Sequence, residues 1–304
     1  FGADNKTKVN ACHTRFTNKN IAAGRRAVKE RLAFLSVTND DQVNDIVKYI
    51  DEEGFNSVPT DNISETPEKP ETGNVSSALT QVILCSGFPT QLSLVLILNG
   101  LGMNATSSDG QLSFSYIVTL SLVDALLLVG LIKYFLDAHG ESVRSLIVGQ
   151  KPILNEVALG LILTPLLVVC AIGGLLLIRT IAPSLSSTTN NPLEAMINTP
   201  LRAILFCLVV VIAGGFREEL QRAFILRRFE QRLGGGWLGL VLFSILFGLG
   251  HRLQGWDAVI MTGMLGAFWG LLYLLRGNAV TSMVSHAGFN LVEVILAISA
   301  AQSL

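Results

Sequence analysis

From residue 79 onward the chain alternates long apolar stretches with short polar ones, and each stretch is near the roughly twenty residues an α-helix needs to cross a bilayer. Seven such runs fall at about 79–103, 112–136, 156–182, 201–226, 236–252, 256–275 and 279–302, the fifth being short. Before residue 78 the pattern is different. Residues 22–35 (AAGRRAVKERLAFL) and 41–53 (DQVNDIVKYIDEE) carry apolar residues at helical spacing, which predicts two short amphipathic helices. Residues 54–77 are rich in Pro, Ser, Thr and Glu, with too little apolar surface to pack, and read as a linker. The expectation is an all-α, polytopic transmembrane bundle of about seven spans over 78–304, behind a polar, mostly flexible N-terminal extension over 1–77. Pro89 and Pro165 lie inside apolar runs, where a bilayer helix tolerates a kink if neighbours satisfy the freed carbonyl.

Composition agrees with a lipid solvent: half of the 304 residues are hydrophobic and 15% are charged, and the mean hydropathy is +0.52. A net charge of -1 without a long basic run gives no support to nucleic-acid binding. The four cysteines, Cys12, Cys85, Cys170 and Cys207, lack the close spacing of a metal or redox motif and read as buried thiols, and Cys12 with His13 makes no site. The chain starts at Phe1, and residues 1–20 lack the basic-then-apolar pattern of a signal peptide, as expected of a fragment.

Positive charge sets the expected orientation. Arg144 and Lys151 follow the second span, Arg227, Arg228 and Arg232 the fourth, and Arg276 the sixth, whereas residues 104–111 and 183–200 contain no Lys or Arg. The N-terminus is therefore expected in the cytoplasm and the C-terminus outside, in a protein integral to a membrane, a bacterial inner membrane by the look of its Gly-rich spans. Asn104-Ala105-Thr106 matches a glycosylation sequon, a short pattern of little weight.

Ionisable side chains inside a bilayer are expensive, by about 2.5 kcal/mol or more at a helix centre, and each needs a reason. Here they gather in the last third. The fourth span continues into FREELQRAFILRRFE, where Glu218 lies four residues and Glu219 three residues before Arg222, so either carboxylate can share a helix face with the guanidinium and leave the other for chemistry. His251 closes the run FSILFGLGH with Phe247 four residues before it, and His286 and Asn290 share a face in SHAGFN. Taken singly these are a charged helix end, a polar cap and a helix–helix hydrogen bond. Together, three spans bring the side chains that transfer protons and stabilise oxyanions to similar depth.

The order EE with a nearby Arg, then FxxxH, then HxxxN, on successive spans resembles the CAAX protease and bacteriocin-processing family, whose eukaryotic members are type II CAAX prenyl endopeptidases; the likeness covers about residues 78–304. Phe247 to His251 match its second motif and His286 to Asn290 its third. The family's first motif is usually EExxxR, and here the spacing is one residue short. Matching Arg222 puts Glu218 at the second glutamate and Arg217 at the first; matching the glutamate pair displaces Arg222. The resemblance implies that Glu218 or Glu219 with His251 activates water, that His286 and Asn290 stabilise the oxyanion, and that Arg222 holds the spare carboxylate. It implies endopeptidase action on a membrane-associated or lipidated peptide or protein.

No cofactor is expected. The alternative is zinc, ligated from among Glu218, Glu219, His251 and His286, with Asn290 a further donor, although no HExxH helix is present. Two other functions compete: a non-catalytic member acting in bacteriocin immunity or as a scaffold, which the Arg217 departure favours, and a proton-relaying transporter, which should show inverted repeats that the chain lacks.

Overall fold

The computed structural model describes residues 74–107, 110–186 and 196–302. The chain divides into two units, Phe1–Glu71 and Thr72–Leu304, and the second is described here. The amphipathic helices expected over 22–53, Cys12, His13 and most of the expected linker lie outside the described residues.

Every element among the described residues is helical apart from one isolated bridge between Thr106 and Leu112. The first apolar run becomes two helices. Helix α1 (Val75–Leu84) starts four residues before that run because the Asn74 side chain accepts from the Ser76 N–H. Gly87, in the left-handed region at φ 85°, then turns the chain into α2 (Phe88–Gly100), bent 41° from α1. Pro89 sits in the first turn of α2, where its missing N–H costs nothing, so the break falls ahead of the proline and not at it. Ser113 caps α3 (Phe114–Ala138), and a short α4 (Val143–Ile147) leads to α5 (Ile153–Ile181), which runs 29 residues through Pro165.

Thr199 and Pro200 open α6 (Pro200–Val209), which passes into a π-helical segment, Val210–Arg217, and then into α7 (Glu218–Arg232). The last three helices are α8 (Gly236–Gly250), α9 (Trp256–Arg276) and α10 (Val280–Gln302). Five helices are long and apolar enough to cross a membrane, six if the bent α1–α2 pair counts as one span. The count of about seven therefore falls by the shortest run. At 15 residues α8 reaches only about 22 Å at 1.5 Å per residue, against a hydrocarbon core of about 30 Å.

The helix with the most polar sequence holds the centre. Glu219 through Leu226 of α7 are all buried, and Leu220, Ala223, Phe224, Ile225 and Leu226 pack with Leu128, Ile132 and Leu136 of α3 and Leu240 and Phe243 of α8. Exposed apolar side chains such as Leu126, Leu154, Ile162 and Val169 line the outer faces of α3 and α5, as a bilayer requires. Of the three described cysteines, all expected to be buried thiols, Cys85 is fully buried, Cys207 is half-buried and Cys170 lies exposed on the outer face of α5.

Candidate active site

A π turn holds more residues than an α turn, and the widened Val210–Arg217 segment delivers two consecutive glutamates to the start of α7. Glycines let α10 approach that segment. A Cβ on Gly215 would lie 2.5 Å from the Ala287 Cβ, and one on Gly214 would collide with the Asn290 amide nitrogen. The Asn290 amide points at the Val210 carbonyl, 3.5 Å away.

His286, four residues before Asn290 on α10, lies between the two carboxylates. Its Nδ1 is 2.7 Å from Glu219 Oε1, the oxygen that also accepts from Arg222 Nη1. A carboxylate held by a guanidinium is ionised and only accepts, so Nδ1 carries a proton. The opposite ring nitrogen, Nε2, faces Glu218 Oε2 at 3.8 Å. Trp269 of α9 stacks on the imidazole at 3.7 Å between ring centres and 14° between planes, which fixes its tilt. The Trp269 indole is itself tied down by donating to Ser285 Oγ at 3.1 Å.

The two glutamates differ sharply in surroundings. Glu219 and Arg222 are each 1% exposed, and the guanidinium rests 4.6 Å from the Phe247 ring centre. Glu218 is 21% exposed. The question of which acid Arg222 holds is answered by geometry: it holds Glu219 and leaves Glu218. His251, the residue that ends α8, lies 5.0 Å from Phe247, and Phe247 in turn lies 6.2 Å from His286. Its Nδ1 sits 2.9 Å from the Phe247 carbonyl, an acceptor only, so in the neutral ring the free lone pair is on Nε2.

All six candidate residues thus surround one region, but not equally. Glu219, Arg222 and His286 bond directly, Glu218 stands beside His286, His251 joins through the Phe247 ring, and Asn290 turns toward the π segment. Glu219 Oε1 is shared by Arg222 and His286, and among the described residues no three His, Cys, Asp or Glu side chains converge to hold a metal ion.

Sequence reasoning missed a second charge pair. Asp124, near the middle of the second span, forms an ion pair with Arg217, the residue before Glu218. The signal was present: an acid inside a bilayer requires a partner, and Arg217 is an intramembrane base whose only role had been to disturb a motif. Trp269 carried no comparable signal, since an aromatic in an apolar helix reads as packing.

Among the described residues the protein is all-helical and multi-span, and its buried His286 stands between the Arg222-paired Glu219 and the partly exposed Glu218. Residues 200–292 match the family model described as Type II CAAX prenyl endopeptidase Rce1-like, and this part of the chain is an Rce1-like domain of that family. The matched segment begins with the first residue of α6 and contains Glu218, Glu219, His251, His286 and Asn290. No curated protein and no solved structure matches the chain.

Proposed function

We propose that the chain is an intramembrane endopeptidase that hydrolyses a peptide bond of a membrane-associated or lipidated peptide or protein from the cytoplasmic side, with Glu218 as general base. The observation that carries this reading is the division of labour around His286: Glu219 is ionised and paired to Arg222, whereas Glu218 is partly exposed and faces Nε2. Counting charge supports it. With neutral imidazoles, the guanidiniums of Arg217 and Arg222 stand against the carboxylates of Asp124, Glu218 and Glu219, leaving one negative charge in excess. The centre can take up one proton and become neutral.

In the proposed cycle Glu218 accepts a proton from water as the oxygen attacks the carbonyl carbon. The oxyanion is held by the Asn290 amide, turned from the Val210 carbonyl, while the neutral His286, its Nδ1–H given to Glu219, stands beside Glu218. Collapse breaks the C–N bond, and the proton held by Glu218 passes to the leaving nitrogen, giving an amine and a carboxylic acid, which then gives its proton to Glu218 or to water. His251, with Nε2 free, assists the transfer on the far side of Phe247. Each such contribution is worth about 10²–10⁴ in rate. No step is routed through a metal, and the location expected is an inner membrane with the N-terminus in the cytoplasm.

The test is cleavage of a library of membrane-tethered reporter peptides by the full chain in detergent, with Glu218→Gln, His286→Ala and His251→Ala compared with wild type, each with and without chelator. Cleavage lost by at least about 100-fold in Glu218→Gln and His286→Ala supports the reading. Equal cleavage by wild type and Glu218→Gln rejects Glu218 as base, and chelator-sensitive wild-type cleavage rejects the metal-free cycle. A folded wild type that cuts nothing favours the non-catalytic immunity or scaffold reading, to which the Arg217 substitution gives its support.

A further inference from the structure

Arg217 takes no part in the cycle proposed above, yet its side chain is only 8% exposed, at the last position of the π segment. A guanidinium removed from water costs several kcal/mol unless its partners compensate. Its Nη2 pairs with Asp124 Oδ2 of α3. Asp124 is in turn secured from α2, accepting from Thr90 Oγ1 at 2.5 Å and from Gln91 Nε2 at 3.4 Å. The other terminal nitrogen, Nη1, lies 3.9 Å from Glu218 Oε1, while Glu218 Oε2 lies 3.8 Å from His286 Nε2. The carboxylate is bracketed, one oxygen toward Arg217 and the other toward the imidazole.

The bend between α1 and α2 is fitted to the same helix face. Gln221, one turn beyond Arg217, donates to the Cys85 carbonyl at 2.8 Å. A Cβ on Gly87 would come within 2.9 Å of Arg217 Nη2, so only a glycine leaves room for the guanidinium there.

We infer that Arg217 is a positioning residue: braced by Asp124, it fixes the Glu218 carboxylate beside His286, and the broken α1–α2 helix with α3 thereby sets the geometry of the site. The inference rests on the role proposed for Glu218. It gives the residue that departs from the family's glutamate pair a task in the same reaction, and it assigns Asp124 as the counter-charge that makes an arginine tolerable at that place.

Two measurements on the full chain test it. In steady-state cleavage, Arg217→Gln is expected to lower kcat about 10–100-fold with KM within about twofold, because bound substrate meets a displaced base. Arg217→Lys, which keeps a positive charge, is expected to recover most of that loss. The exchange Arg217→Asp with Asp124→Arg separates positioning from packing: it re-forms the ion pair and restores Tm, but sets a carboxylate beside Glu218 and leaves kcat low. Restoration of both Tm and kcat by the exchange overturns the inference.

The second measurement needs no activity. Tm is recorded for Arg217→Gln, Glu218→Gln and the double variant, and the double is expected to differ from the sum of the singles by about 2 °C or more, as contacting charges require. Simple additivity overturns the inference even if cleavage is affected. Conversely, if wild type cuts nothing, or Glu218→Gln cuts like wild type, the hydrolase reading fails while this cycle still decides whether Arg217 holds Glu218.

Discussion

Glu156 and Glu219 are both buried carboxylates paired to an arginine, and they are finished differently. Glu156 of α5 is saturated: Oε1 accepts from Arg276 Nη2, and Oε2 accepts from Arg276 Nε at 3.0 Å and from Thr281 Oγ1 at 2.7 Å, tying together α5, α9 and α10. Glu219 is not. Its Oε1 takes both Arg222 and His286, whereas Oε2 finds no hydrogen-bond partner, nor do Arg222 Nε and Nη2. Beside it stands Glu218, a second carboxylate without a close donor. An unmade buried hydrogen bond costs about 1–3 kcal/mol, and the unmet groups of Glu219 and Arg222, next to a histidine and a second acid, support the reading proposed above for this centre.

The largest effects should come from removing one carboxylate from each place. Glu219→Ala strands Arg222, 1% exposed, at a cost of about 3–5 kcal/mol, and the expected outcome is a protein that fails to hold its fold in mild detergent. Glu156→Ala strands Arg276, but that side chain is 32% exposed and can turn to water, so the loss should be nearer 1–3 kcal/mol and cleavage per folded molecule should persist. Thermal melts and cleavage rates of the two variants side by side check this. Loss of cleavage in a stable Glu156→Ala protein would remove the distinction between saturated pair and site.

A smaller effect tests how α10 is brought to the glutamates. Gly215→Val must push the π segment away from the Ala287 backbone, whose Cα would lie 2.9 Å from the new Cβ. Overpacking of this kind costs about 1–3 kcal/mol. A shift of His286 by about 1 Å from Glu218 should lower kcat on the order of 100-fold. Wild-type cleavage by Gly215→Val would show that the close approach of α10 is dispensable.

Much of this was legible in the sequence, and the boundary is physical. Apolar runs revealed the spans because a bilayer imposes length and hydropathy, and the polar residues within them pointed to the candidate site because hydrocarbon tolerates few without purpose. What stayed hidden depends on register. Whether Arg222 would take Glu218 at four residues or Glu219 at three is decided by how the π segment rotates the start of α7, and nothing in VVIAGGFR declares a π helix. Pairs between distant spans, Asp124 with Arg217 and Arg179 with Asp257, needed the same register: an acid in a span calls for a partner, but the sequence does not say which helix faces meet. The bend after Leu84 was not read from the sequence: Gly87 makes the turn, and Pro89 lies in the first turn of α2.

The smallest effect sharpens the comparison from outside the spans. Glu141, in the turn between α3 and α4, joins Arg227 at 2.6 Å and pairs with Arg228, whose Nε also donates to Gln81 Oε1 of α1 at 2.8 Å. Burial works against the Glu141 charge, but the Arg228 hydrogen bond and the charges of Arg228 and Arg227 outweigh it and hold the carboxyl below its ordinary value of 4.5. Because the folded state binds this proton less readily than the unfolded chain, the stabilisation is fully present above about pH 4.5 and is lost as pH falls through the lower folded value. Tm should therefore drop below that pH in wild type and drop less steeply in Glu141→Gln, which has no charge to lose there. The cleavage rate per folded molecule should show no such difference, because Glu141 belongs with Glu156 among the structural clamps. A Glu141→Gln variant with the same acid slope as wild type would mean that the arginine pair adds nothing to stability at this site.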